Sequence, residues 1–82
     1  MLELLHYGIK RKKMEIIHLR EDFIKLGQAL KAAGLVGSGV EAKLVIQDGQ
    51  VKVNGHVEVQ RGKKLVAGDL VEFAGETIKI ES

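Results

Sequence analysis

The sequence predicts an α+β fold: two N-terminal helices packed on a small, mostly antiparallel sheet of about four to five short strands. Three observations predict it. Apolar residues recur at helical spacing in two stretches before Gly49. Beyond Gly49 the apolar period changes to two. Turn signals at Asn54-Gly55, Gly68-Asp69 and Gly75 then divide the second half into short strands. Helices grouped ahead of strands fit this class better than alternating helix and strand would.

Each element has its own justification. Residues 15–19 are short and β-rich and read as an edge strand. Phe23, Leu26, Leu30 and Ala33 are spaced three, four and three, which is one face of a helix. That helix is expected over 23–33, with Asp22 as N-cap and Gly34 just past its end. Ser38 followed by Glu41 has the capping-box form and opens a second helix over 39–48. Ala42, Val45 and Ile46 mark its apolar face, Lys43 and Gln47 share a polar one, and Gly49 stops it. Val51 and Val53 alternate with Lys52 and Asn54. Asn54-Gly55 is a strong hairpin signal, because both residues tolerate positive φ in a type I′ turn. Val57 and Val59 continue on the return strand, and residues 61–64 form a basic loop. Val71 and Phe73, then Ile78 and Ile80, supply the last two strands. The expected core is Phe23, Leu26, Leu30, Val45, Ile46, Val53, Val71, Phe73 and Ile78.

An 82-residue chain holds one small domain. A chain this short hides only ~60% of its unfolded surface, which argues against a large buried active site. The composition, 45% hydrophobic and 29% charged, is that of a globular domain. There is no cysteine, so disulfides, thiolate metal sites and cysteine nucleophiles are excluded. No apolar run approaches the ~18 residues of a membrane span. Leu2, Leu4 and Leu5 precede the basic run of residues 10–13, the reverse of a secretory signal, so a cytoplasmic location and no membrane partner are expected. Residues 1–13 lack a clear period and are read as an N-terminal extension, either a flexible arm or the product of an upstream start. Residues 14–82 are read as the single domain.

Catalytic chemistry is poorly supplied. The hydroxyl side chains are Tyr7, Ser38, Thr77 and Ser82, and Ser38 already serves as a cap. A nucleophile needs a base held by a third group, and His6, His18 and His56 are scattered. Their isolation also argues against zinc, whose ligands come in closely spaced pairs. Gly37-Ser38-Gly39 lacks the lysine and hydroxyl of a phosphate loop. No enzyme activity, metal or cofactor is expected.

Nucleic-acid chemistry is better supplied. Residues 23–66 carry seven cations against three carboxylates, while net charge over the whole chain is only +2. That describes a basic centre between acidic flanks. The second helix opens at Gly39, where backbone N–H groups and the absence of a side chain suit a phosphate. Lys43 lies one turn on, Lys52 projects from the strand face opposite Val51 and Val53, and Arg61, Lys63 and Lys64 fall within four residues. Gln47 and Asn54 have the groups to bond bases or 2′-hydroxyls. Phe23 and Phe73 read as core, which leaves no aromatic pair for stacking single-stranded bases. Structured RNA read by shape and backbone is the better match.

Three stretches in order carry a family resemblance: residues 25–30 (Lys-Leu-Gly-Gln-Ala-Leu), 38–43 (Ser-Gly-Val-Glu-Ala-Lys) and 45–55 (ending Gly-Gln-Val-Lys-Val-Asn-Gly), followed by Gly68-Asp69. Together they resemble the RNA-binding domain of ribosomal small-subunit protein four, the alpha-L motif. With Arg61-Gly62-Lys63-Lys64 they are similar to its stand-alone bacterial branch of YbcJ/YaaA type. The resemblance covers about residues 14–81. It implies binding of structured RNA through the two helices and the following strand. Carried over by position, it implicates Lys25 and Gln28 on the first helix, whose polar face also carries Lys31 as a candidate, and Ser38, Gly39, Lys43 and Gln47 on the second. It adds Lys52 and Asn54 on the strand and Arg61, Lys63 and Lys64 in the basic loop. The chain departs from the pattern at Gly39, where many members carry arginine, at Gly27, where they often carry aspartate, and at Gln28, where they often carry lysine. Asn54 and Gly55 are expected to serve the turn before any RNA.

The expected function is a non-catalytic module that binds structured ribosomal or transfer RNA, in translation or ribosome assembly. Its partners would be that RNA, the ribosome or an assembly intermediate. The alternative is an adaptor whose sheet edge or basic loop holds an acidic protein.

Overall fold

The computed structural model describes residues 14–82; the expectation for residues 1–13 lies outside the described residues. Strand β1 (Met14–His18) comes first, followed by the two-residue β2 (Ile24–Lys25). Helix α1 spans Leu26–Ala32 and α2 spans Gly39–Gln47. Five strands follow: β3 (Val51–Val53), β4 (His56–Val57), β5 (Lys64–Leu65), β6 (Leu70–Phe73) and β7 (Glu76–Glu81).

The α+β class holds. Strand β1 precedes the helices and lies at the edge of its sheet, as the edge-strand reading of residues 15–19 expects, so the helices are N-terminal only to the strands that follow β2. The main sheet is mixed: its order is β1-β7-β6-β3-β4, and β1 pairs with β7 in parallel, Ile17 opposite Ile80. The other three pairings in that sheet are antiparallel. A second, two-stranded sheet joins β2 to β5. Parallel neighbours need a long crossover, and here the whole of the domain between the two ends provides it. Strand alternation specifies which side chains face inward and is silent on the direction of the partner.

Helix α1 starts three residues later than the spacing of Phe23 predicts, and Asp22 is not its cap. Residues 24 and 25 are extended, with Lys25 at φ −79 and ψ 147, because their backbone finds partners across the sheet in Leu65 and Lys64. The first helical amides are satisfied by the same loop: Leu26 N donates to Lys63 O at 2.8 Å and Gly27 N to Arg61 O at 3.1 Å. The Gln28 carboxamide reaches back to Lys25 N at 3.4 Å. At the other end Gly34 takes φ +77, as a C′ residue does.

Helix α2 matches its sequence signals closely. Ser38 Oγ accepts from Glu41 N at 3.1 Å. The Glu41 carboxylate accepts from Gly37 N at 2.8 Å, one residue earlier than a capping box has it. The Asn54-Gly55 turn has φ 52 and 85, both positive as a type I′ hairpin requires.

Twelve buried apolar side chains form one core. Leu26, Ala29 and Leu30 come from α1, Ala42 and Ile46 from α2, and Val51, Val53, Leu65, Val71, Ile78 and Ile80 from the strands. Val36, between the helices, completes it. Of the expected core, Phe23, Val45 and Phe73 are only partly buried and pack at its margin. The Phe23 ring is instead covered by Lys64, whose Nζ lies 4.7 Å from the ring centroid.

Candidate nucleic-acid interface

The core fixes one edge of the molecule on which cations converge. The amides of Leu26 and Gly27 hold the 61–63 loop against the start of α1. A cleft of about 350 Å³ opens beside that junction, lined by Lys25, Gly27, Gln28, Lys31, Gly39, Ala42, Arg61 and Gly62. Residues from α1, the opening of α2 and the basic loop therefore share one wall. Among the described residues no carboxylate lines it. Among the described residues the single side-chain ion pair is Lys79–Glu81 at 3.7 Å, so none of their carboxylates forms an ion pair with a cation of the cleft. The nearby acids are otherwise engaged: Glu41 caps Gly37 N and Glu58 accepts from Gln60 N at 3.1 Å. A neighbouring hollow, lined by Ile17, Leu19, Phe23, Ile24 and Ala32 among others, is mainly apolar and carries Glu21 as well as Arg20.

Five of the residues singled out in the sequence meet in the cleft: Lys25, Gln28, Lys31, Gly39 and Arg61. The others fall elsewhere. Lys43 and Gln47 are exposed on α2 without lining it. Lys63 is exposed in the loop, and its carbonyl accepts from Leu26 N. Lys64 lies over Phe23. Ser38 Oγ is occupied by the cap.

Lys52 and Asn54 are set apart. Lys52 projects from the outer face of the sheet, since Val51 and Val53 on either side are buried, and it stands opposite Glu72 in the ladder. Asn54 is exposed, but its side chain is taken up by hydrogen bonds within the chain. Its Nδ2 donates to Asp69 Oδ1 at 3.0 Å, and its Oδ1 accepts from Leu70 N at 3.0 Å. Asp69 Oδ2 in turn accepts from Val66 N at 2.9 Å. The Asn-Gly and Gly-Asp signals, 15 residues apart, are therefore two halves of one hydrogen-bonded cluster.

Gly27, Ala42 and Gly62 line the cleft and were missed in the sequence. Gly27 left two signals, a glycine inside an otherwise helical pattern and a departure from the family pattern at that position. Among the described residues no group of three or more His, Cys, Asp or Glu side chains is placed to hold a metal, and no helix is long and apolar enough to cross a membrane.

A mixed five-stranded sheet backed by two short helices, with a basic cleft at the helix junction, defines a small α+β module of the alpha-L type. The family model described as "S4 domain" matches residues 17–81, and the chain belongs to that family. YbcJ of Escherichia coli (strain K12) is 44% identical over 57 residues, covering 70% of this chain and 81% of that protein. The Bacillus subtilis (strain 168) protein named "Probable ribosome maturation protein RlbA" is 41% identical over 59 residues, covering 72% and 83%. The solution structure of Escherichia coli YbcJ, described by an alpha-L motif involved in RNA-binding, superposes with a TM-score of 0.64 at 34% identity, over 90% of this chain and 92% of that one.

Proposed function

We propose that this chain is a non-catalytic RNA-binding module that takes structured RNA, ribosomal or transfer, into the cleft between α1, the start of α2 and the basic loop. The observation that carries the reading is the convergence of Lys25, Lys31 and Arg61 on one cleft beside the opening of α2, with no carboxylate among the described residues that line it. Such cations neutralise backbone phosphates, and the Gln28 carboxamide and the backbone at Gly39 add neutral donors. Lys43, Lys63 and Lys64 extend the positive surface around it. Among the described residues the two aromatic side chains make a poor stacking platform: Phe73 is partly buried and Lys64 lies over the Phe23 ring. The ligand is therefore a folded RNA recognised by its backbone and shape. The RNA-binding description of the YbcJ structure supports the ligand class, and the name of RlbA supports a place in ribosome maturation. The domain so proposed is residues 14–82, acting in the cytoplasm where that RNA is found.

The test is a titration into a labelled ribosomal stem-loop at low and moderate salt, with duplex DNA and an acidic peptide as competitors. Binding is expected to fall steeply with salt, because phosphate contacts release counterions, and to resist DNA. Displacement by the acidic peptide alone, with no RNA affinity, would favour the adaptor reading instead.

A further inference from the structure

Arg61 is the loop cation that lines the cleft, and its stem lies against a position that has no side chain. Gly27, the second residue of α1, is buried. A Cβ placed on Gly27 would meet Arg61 Cγ at 2.7 Å and Cδ at 3.3 Å. The first distance is below what real side chains show, and the atom met is close to the Arg61 backbone rather than at its free end. The backbones are also tied there, through Gly27 N to Arg61 O at 3.1 Å and Leu26 N to Lys63 O at 2.8 Å. The loop cannot easily swing away, so any side chain at 27 must displace the arginine stem.

No backbone requirement explains this glycine. Its φ is not in the left-handed region, unlike Gly34 or Gly49, and an ordinary helical residue fits its conformation. What the position needs is the absence of volume. We infer that Gly27 is a positioning residue for RNA binding: it forms the slot in which the Arg61 stem lies and so sets the guanidinium in the cleft with Lys25 and Lys31. Residue 27 then decides whether the cleft holds two cations or three. This rests on the RNA reading of the cleft.

The test is a double-mutant cycle in the full chain, with Gly27→Ala, Arg61→Ala and both together. It is read twice, by thermal unfolding and by affinity for a labelled ribosomal stem-loop across a salt series. Alanine has no Cγ, so the slot is vacant in the Arg61→Ala background. Gly27→Ala is therefore expected to raise the unfolding temperature by a few degrees in that background, as a helix-compatible Gly→Ala does. It is expected to leave it unchanged or lower it when Arg61 is present. Arg61→Ala is expected to weaken RNA binding by roughly tenfold and to lower the salt slope by about one. Gly27→Ala is expected to reproduce most of that loss and the same change in slope, and the double variant to bind no worse than Arg61→Ala.

If Gly27→Ala raises the unfolding temperature equally in both backgrounds, the slot does not exist and the inference fails. Where Gly27→Ala alone does not fold, the double variant must, or the clash is not with Arg61. If Arg61→Ala weakens binding while Gly27→Ala does not, or if the two losses multiply, the cleft reading stands and the positioning role is overturned. If Arg61→Ala binds as well as wild type, the cleft reading fails at this residue and the positioning role falls with it.

Discussion

The cluster around Asn54 and the cleft around Arg61 have opposite chemistry. Both contain polar residues that resemble the family's motifs. In the first, Asn54, Asp69, Leu70 and Val66 satisfy one another through three side-chain hydrogen bonds of 2.9–3.0 Å. In the second, Lys25, Lys31 and Arg61 converge without a carboxylate partner among the described residues. The first region stabilises the fold without needing a ligand. The second gathers like charges that repel one another until something anionic arrives. The presence of a motif residue is therefore weaker evidence for binding than the destination of its donors and acceptors.

Charge reversal in the cleft has the largest expected effect. Lys25→Glu with Arg61→Glu removes two charged contacts and adds repulsion. RNA affinity should fall by at least about a hundredfold with little change in the unfolding midpoint. Retained affinity in an electrophoretic shift assay would remove the proposed surface. Asn54→Ala tests the other region. It deletes two hydrogen bonds and leaves a residue with an ordinary Cβ at φ 52. Stability should fall by about 1–2 kcal/mol in urea, while the folded fraction binds RNA as wild type does. Ser38→Ala removes the cap on α2 and should cost ~1 kcal/mol by the same measurement.

Two smaller effects sharpen the contrast. Ala74, in the β6–β7 turn, holds φ 54 beside Gly75 at φ 81, the same pair of conformations as Asn54-Gly55. Ala74→Asn should stabilise the fold by about 0.5–1 kcal/mol, since asparagine tolerates that conformation better. No gain would mean that turn is not strained by its alanine. Lys52→Ala, on the outer sheet face opposite Glu72, should change RNA affinity by less than about twofold, because a Debye length of ~8 Å screens distant charge. A large loss would extend the interface onto the sheet.

Signals that act within four or five residues were legible in the sequence. Ser38 and Glu41 set the start of α2, Gly49 its end, and Asn54-Gly55 the hairpin, because a cap or a turn is made by the residues that announce it. The long-range features were not. Phe23 to Ala33 has helical spacing, yet residues 24 and 25 are extended because Lys64 and Leu65 offer a ladder. The parallel pairing of β1 with β7 joins the two ends of the described chain and leaves no trace in strand alternation. The candidate site shows the same split. Its cations could all be named in the sequence, but Lys25, Lys31 and Arg61 looked no different there from Lys52. Only the folded chain separates the cleft from the outer face, and only it ties Asn54 to Asp69 across 15 residues.

RNA is proposed to occupy the cleft and not the hairpin cluster, and glycine amides report on both. The most direct measurement follows backbone amide chemical shifts of the full chain as a ribosomal stem-loop is added. Occupation of the cleft predicts saturable shifts at Gly27, Gly39 and Gly62, with Gly55 and Gly68 still. Shifts centred on Gly55 and Gly68 while the cleft glycines stay in place would contradict it.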